Sequence, residues 1–524
     1  MDLPLVVPIL SRDGTLTKDA KTINLLNGEK RPGLLLAMQL PAGTAQGMFL
    51  SPTLGACAIV NNIIYKVSTG AAIASITSGV GPYDAVVMPV SGTVVIKDAG
   101  NMWLLNGSVL TAVVRSVGNP LPTAMLPGIV QLDQTCYVLS GVTVYGSAIG
   151  DPSTWTALNE ILVYGGTATV AVAISRYLNY VLVTTDQSTE VFYDNGNPAP
   201  GSPLSRYPSA YSTIGCASAA SLVDMQNMAL HITKDKDNGR VVRGINNLQS
   251  SNLSTWAIEK VLQRSTLVGL TSFGLTMFGH SLYVVNLPDI NITLYYDITT
   301  NQWGQLTYSK ARGAKVISSL TNNSRLATAV CTAHGLSDGD PVDIAGAAQA
   351  SYNGRFNVRV LDVDTFQFTL GSTAISPATG SPTATGYDQN LFCVVNVQSD
   401  GAVTYAQDAS TGAIYQFSAT TFTDNGAPID CQSVTGNVRG DTTATYIHFQ
   451  EAELDADKVT STALVRYTKD DYQTWSYYGN LYLGDTTTSI QRLGAGHIRA
   501  FHFRHTDNTS LRIRKFIFAG EDVS

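Results

Sequence analysis

The stretch 280–306, HSLYVVNLPDINITLYYDITTNQWGQL, constrains the fold more than any other in the chain. Leu282, Val284 and Asn286 alternate with Tyr283, Val285 and Leu287. Pro288-Asp289 ends that run. A second alternating run from Ile292 to Tyr296 reaches Asp297, Thr299-Thr300-Asn301 turns the chain, and Trp303 opens a further short strand. Period-two alternation bounded by Pro, Asp and Asn is the signature of half-buried antiparallel strands.

The pattern returns along most of the chain. Runs at 56–60 and 63–67 flank Asn61-Asn62, and runs at 85–88 and 93–97 flank Ser91-Gly92. Asn106-Gly107 is a strong two-residue hairpin turn. Runs at 129–132, 135–139 and 142–145 follow, then Asp151-Pro152-Ser153-Thr154-Trp155. The pair 177–184 and 189–193 closes on Asp194-Asn195-Gly196. Runs at 229–233 and 241–244 flank the turn 234–239, with Trp256 in a place similar to Trp155. Short strands with Gly, Asn and Asp turns indicate a sandwich, barrel or propeller. Hairpins recurring every ~40–50 residues with an aromatic near each end favour propeller blades, and five or six blades fit. One amphipathic helix is expected, near 253–263.

Composition narrows the class. Hydrophobic residues make up 44% of the 524, and charged residues only 14%, against about a quarter in an ordinary domain. Low charge with 24 tyrosines suits a β-rich protein that buries surface against copies of itself. The net charge of −7 disfavours a dedicated nucleic-acid reader, which carries a basic face. No apolar run approaches the ~18 residues of a membrane span. The N-terminal MDLPLVVPILSRDG lacks the basic start and cleavage site of a signal peptide. Cys57, Cys136, Cys216, Cys331, Cys393 and Cys431 are scattered, with no CxxC pair, and read as buried free thiols.

Two segments depart from the rhythm. In 321–386 the order His334-Gly335-Leu336, Gly339-Asp340, Tyr352-Asn353-Gly354, Phe356 and Asp362-Val363-Asp364-Thr365-Phe366 has its own logic, and a Ser/Thr/Pro/Gly-rich flank follows at 376–386. It resembles a small all-β module inserted in phage structural proteins and found also in ubiquitin-activating enzymes. His334 reads as a turn histidine. From 431 onward, longer strands at 445–449, 462–467, 498–504 and 511–518 and more charge suggest a β-sandwich. The expected class is therefore all-β: a β-propeller-like body, a small inserted all-β module and a C-terminal β-sandwich-like domain. The expected organisation is 1–50 N-terminal arm and first strands, 51–320 propeller-like body, 321–386 insert, 387–430 remainder of the body and 431–524 C-terminal domain. The arm, with its polar run 12–20 and apolar island 23–26, reads either as a strap on a neighbour or as an edge strand.

The chain ends carry a family resemblance. RDGTLTKDAKTINLLNGEKRPGL near the start resembles the opening of the tail nozzle, or packaged-DNA-stabilization (tail accessory), proteins of short-tailed bacteriophages. The closing LVRYTKDDYQTWSYYGNLYLG and IQRLGAGHIRAFHFRHTDNTSLRIRKFIFAG, and the central VFYDNGNPAPGSPLSRYP, are similar to the same family. The low charge and the insert depart from its pattern. The resemblance implies a structural virion protein of the phage tail, assembled in the host cytoplasm. It implies a homo-oligomeric ring, a hexamer, below the portal and adaptor, partnered by tail fibre or needle/plug proteins. Double-stranded DNA would pass through it without sequence-specific binding.

Enzymatic readings find less support. The run 468–475 is close to the Asp-box turn of propellers, with Tyr472 where Gly is usual, and reads as a folding device. The alternative function is a propeller that binds carbohydrate or hydrolyses glycans. It would need converging arginines, a Tyr nucleophile and acids, and no spacing selects a set from Arg176, Arg206, Arg240 and Arg243. No phosphate loop or paired-His motif occurs, and His497, His502 and His505 need not converge. Arg499, Arg504, Arg512 and Arg514 are expected to pair with acids within the chain or across a subunit boundary, or to touch DNA. No catalytic, cofactor-binding or metal-binding residue is assigned, no cofactor is expected, and a conduit lined by neutral and acidic side chains is expected.

Overall fold

The computed structural model describes residues 21–23, 28–163, 170–197, 201–234, 239–439, 446–485 and 488–523. The run 12–20 and most of the island 23–26 lie outside the described residues, as do 198–200 and 235–238. The chain divides into two compact units. One comprises Leu36–Leu306 with Leu391–Phe417; the other comprises Met1–Leu35, Thr307–Asn390 and Ser418–Ser524.

The first unit is a propeller. Among the described residues, seven sheets follow one another along the chain, six of them built on a four-strand antiparallel meander and the seventh on a three-strand one. The expected five or six blades are therefore too few. Their innermost strands are Ala45–Ser51, Asp84–Val87, Val130–Leu132, Ala171–Tyr177, Val223–Met225, Thr271–Met277 and Val394–Asp400. Each packs on the next and the last packs on the first, so the sheets form a closed ring.

Both faces of a blade are buried, which is why its middle strands read as unbroken apolar runs. In blade two, Val94 and Ile96 pack with Phe49, Cys57 and Ile59 of blade one. Val95 packs on the other side with Cys136, Val138 and Trp155 of blade three. Each such side chain contributes about 1.5–3 kcal/mol on burial.

The turns explain the polar punctuation. Asn61 and Asn62 (φ 49° and 61°), Asp133 and Gln134 (44° and 65°) and Gln226 and Asn227 (50° and 60°) are left-handed pairs. Such pairs make the hairpin turns whose twist matches the flanking strands. Aspartates close other turns by accepting backbone N–H groups: Asp98 from Gly100 and Asn101 at 2.7 and 2.6 Å, Asp297 from Thr299 at 2.9 Å, and Asp408 from Ser410 and Thr411 at 3.0 and 2.8 Å. The opening hairpin pairs as read, His280–Leu287 with Ile292–Asp297 and Tyr283 opposite Tyr296, but its strands are buried on both faces rather than half-buried, because a neighbouring blade covers each side. The helix expected near 253–263 is present, although Trp256 does not take a place like that of Trp155, which lies in a strand. Trp256 opens the one α-helix among the described residues, Trp256–Arg264, whose Ile258, Val261 and Leu262 are buried.

Blade seven is assembled from both ends of the chain. Its first three strands, Val394–Asp400, Val403–Asp408 and Ala413–Ser418, are completed by Gly33–Gln39. Gln407 Nε2 donates to Ile59 O of blade one at 2.9 Å, and Asp400 accepts Ala56 N–H at 2.9 Å. Asn286 Nδ2 of blade six donates to Val394 O at 2.7 Å.

The second unit holds a sandwich and the insert. Arg512–Val523, Tyr446–Ala456 and Ser489–Gly496 form one sheet, with Lys21–Ile23 as its edge. Cys431–Val434, Ile498–His505, Thr462–Thr468 and Ser476–Tyr482 form the other. Phe449, Leu454 and Phe516 meet Val465, Phe501 and Phe503 between them. Of the two readings of the arm, its described part is an edge strand. The insert is two four-stranded sheets around Val342, Tyr352, Phe366 and Phe368. It docks on the sandwich: Thr506 Oγ1 donates to Asn357 Oδ1 at 2.8 Å, and the Arg359 guanidinium lies 5.9 Å from the Tyr477 ring centroid.

Candidate channel and assembly surfaces

The seven inner strands carry four charged residues, Asp84, Arg176, Asp224 and Asp400. Asp84 pairs with the buried Lys97 at 2.9 Å and accepts Gly128 N–H at 2.8 Å, while Lys97 Nζ also reaches Leu126 O at 2.9 Å. Arg176 donates to Leu178 O at 2.8 Å and to Gln131 O of the neighbouring inner strand at 3.4 Å. The Asp224 carboxyl is pushed up to about 6 by burial, with Arg176 opposing. The residue is nevertheless exposed. The inner strands thus carry three acidic residues and one basic one, Arg176, which is exposed.

The propeller axis is narrow. Sheets packed face to face stand about 10 Å apart, so seven inner strands enclose a ring about 22 Å across between backbones, and side chains narrow it to roughly half. The two grooves of B-DNA are about 8.5 and 7.5 Å deep, so a duplex is at least ~16 Å across and does not fit through one propeller.

The candidate histidines do not converge. His502 and His505 share the strand Ile498–His505 on opposite faces. His502 Nε2 meets Gln432 Oε1 at 3.0 Å and packs on Trp475. His505 contacts Ser461 Oγ at 2.8 Å and Lys30 Nζ at 3.3 Å. Burial first, then neighbouring cations, holds both down at about 4. His497 stands edge-on to Tyr446. His334 accepts Leu336 N–H at Nδ1 (2.9 Å) and donates from Nε2 to Asp362 O (3.0 Å), closing its turn.

The C-terminal arginines divide. Arg504 grips Asp430 with two bonds of 2.8 and 2.9 Å and Asp340 of the insert at 2.8 Å. Arg499 is wholly buried between the rings of Phe449 and Tyr467, 4.7 and 5.0 Å from their centroids, and donates to Leu493 O. Arg514 pairs with Asp455 and Asp457 at 3.1 and 2.5 Å, and Arg512 is exposed beside it. Arg504 and Arg514 are paired within the chain, and Arg499 is sealed from any nucleic acid.

Of the four arginines weighed for a hydrolase, Arg206 and Arg240 are bonded in separate blades. Arg206 bonds Glu190 and Leu162 O, both at 2.8 Å, and Arg240 bonds Leu262 O and Ser265 O. All six cysteines are free, but only Cys57, Cys136, Cys216 and Cys331 are buried as expected, Cys393 and Cys431 being partly exposed; burial pushes Cys57 and Cys136 up to about 12. Asp470 accepts Thr474 N–H at 2.9 Å and the Thr468 hydroxyl at 2.7 Å, so the Asp-box-like turn sits in the sandwich rather than in a blade.

Sequence reasoning missed the locks at the other end of the chain. Arg31 bonds both carboxylate oxygens of Asp424 at 2.8 and 2.5 Å. Lys30 is buried, with Nζ 2.5 Å from Asp507 O, and burial lowers it to about 8. The adjacent pair Lys30-Arg31 was visible, but nothing local tells a buried cation from a solvated one.

Solved structures similar in fold include the β-propeller domain of Nup133 from Vanderwaltozyma polyspora (9% identity, 64% of this chain and 93% of that one, TM-score 0.29). BamB from Moraxella catarrhalis matches at 12% identity over 76% and 98%, TM-score 0.32. At these scores neither bears on function. No curated protein matches the sequence. A family model described as bacteriophage P22 Gp10, β-propeller, matches residues 49–318. That match runs through the first six blades, and the chain belongs to this bacteriophage stabilisation family of β-propeller structural proteins.

Proposed function

We propose that this phage structural protein forms the nozzle of a short tail: a ring of identical copies, six in number, below the portal and adaptor. It provides the DNA conduit and helps retain the packaged genome until ejection. The family match over the blades carries the reading. The narrow propeller axis supports placing the conduit between copies rather than through one.

The chemistry of the walls is consistent with passage. Duplex DNA carries one charge per about 1.7 Å, and a ring of free cations would grip it strongly at low salt. Here Arg504 is paired and buried and Arg499 is sealed in the core. Adaptor ring, fibre and plug are the partners this role requires, with assembly in the host cytoplasm. No bond is made or broken by the protein in this role.

Light scattering and negative-stain imaging of the purified chain test the reading, alone and with adaptor rings. The expected result is a closed ring of about six copies. A chain that stays monomeric even on adaptor rings overturns it.

A further inference from the structure

Among the described residues, the outer strand of blade three, Asp151–Leu162, is the longest in the propeller and has a partner strand on one side only. Its outward positions Leu158, Glu160 and Leu162 are exposed, the two leucines by 60% and 65%. The positions between them, Asn159 and Ile161, turn inward. A long apolar edge strand left open is an association site.

The backbone of this edge is partly closed to another strand. Thr156 Oγ1 accepts Leu158 N–H at 3.0 Å, and Arg206 takes Leu162 O at 2.8 Å. What remains available is a row of side chains: apolar, acidic, apolar. From Leu158 to Leu162 the row spans about 13 Å.

A row of matching length and opposite charge lies elsewhere on the same propeller. On the helix Trp256–Arg264, positions Trp256, Lys260 and Arg264 lie four apart on one stripe about 12 Å long. All three are exposed, Trp256 by 70%, and Lys260 Nζ lies 3.5 Å from the Trp256 ring centroid. An exposed tryptophan backed by cations is the composition of an interface anchor. The helix follows blade five, so blade four separates the two rows and they cannot meet within one propeller.

We propose that the helix Trp256–Arg264 of one copy covers the outer strand of blade three of the next. Lys260 meets Glu160, while Trp256 and the aliphatic stem of Arg264 pack on the leucines. Each copy offers one row of each kind, so the contact is head-to-tail and generates a ring if the rotation closes. This inference rests on the ring reading.

Charge reversal in the full chain tests it. Glu160→Lys and Lys260→Glu, each folded by circular dichroism, are expected to weaken assembly by about tenfold or more, read by light scattering. Mixing the two variants restores every contact in an alternating ring, as does the double variant. Rings that persist in both single variants, or variants that fail to rescue each other, overturn the inference and leave the ring reading standing. A wild-type chain that never assembles, even on adaptor rings, removes both.

Discussion

The two units hold themselves together by different means. In the propeller unit about one residue in eleven is charged; in the sandwich unit about one in five. Blades are pinned to each other largely by neutral donors reaching carbonyls: Asn286 to Val394, Gln407 to Ile59, and Trp303 to Leu253 O at 2.8 Å. The sandwich unit uses buried ion pairs, Arg31 with Asp424 and Arg504 with Asp430 and Asp340. The difference follows from connectivity. Six of the seven blades are continuous in sequence, so short turns set their register. The sandwich unit is gathered from three separate segments, and nothing local tells them where to meet. A buried charge satisfied in only one arrangement supplies that specificity at the cost of desolvation.

The largest expected effect comes from breaking the central ion pair. Arg504→Met leaves Asp430, whose side chain is 1% exposed, with the Gln432 amide in place of a cation, and frees Asp340. The expected loss is about 3–5 kcal/mol, confined to one unit. Hydrogen exchange should rise over 319–385 and 446–505 while the blades stay protected. Equal loss in the blades would show that the two units unfold as one.

Gly128→Ala is the matching lesion in the propeller. Gly128 has φ +94°, and a Cβ there would lie 1.8 Å from Ile174 O of the next blade. Backbone must move, at a cost of about 3 kcal/mol or more. Exchange should rise in blades three and four and spare the sandwich. A neutral substitution would mean that this blade contact yields easily.

These two positions also mark how far the sequence could be read. Alternation and Asn or Asp turns exposed the hairpins, as at 280–306 and Asn61-Asn62, because hairpin register is a local property. Blade count was not local. Blade three carries a bulged outer strand, the inner edge of blade five is split into Gly215–Cys216 and Val223–Met225, and the last strand of blade seven lies near the N-terminus. Counting hairpins along the chain therefore falls short. The Arg31–Asp424 pair spans 393 positions, and no spacing rule reaches that far. Exposure of Leu158 and Leu162 was equally hidden, since an apolar strand residue looks the same whether or not another blade covers it.

Acid should separate the units more gently. His502 and His505 in the sandwich unit and His231 in blade five are each held near 4, chiefly by burial. A base whose folded value is depressed below its unfolded 6.5 favours the neutral folded form. Its stabilisation is present above about 6.5 and is lost as pH falls from there towards 4. The sandwich unit carries two such groups and the propeller one. Exchange measured at pH 7 and pH 4.5 should therefore show the sandwich unit losing more. Equal losses, or a greater loss in blade five, would contradict that assignment.

The smallest expected difference compares one device in two settings. Asp297 ends a strand of blade six with its side chain 6% exposed. It accepts Thr299 N–H, the Thr300 hydroxyl at 2.7 Å and a bond with His280 at 2.7 Å. Asp470 closes a similar turn in the sandwich unit, where hydrogen bonds from Thr474 and Thr468 hold its carboxyl down at about 2, but the group stands in water. Replacing Asp297 with Ala leaves donors stranded beneath the blade and should cost about 1–3 kcal/mol. Asp470→Ala exposes the same kinds of donor to solvent, which can replace the carboxylate. Thermal melts of the two variants should rank them in that order. The reverse order would mean that the acidic turns of the propeller are ornaments of its surface, and that the blades are held by their apolar faces alone.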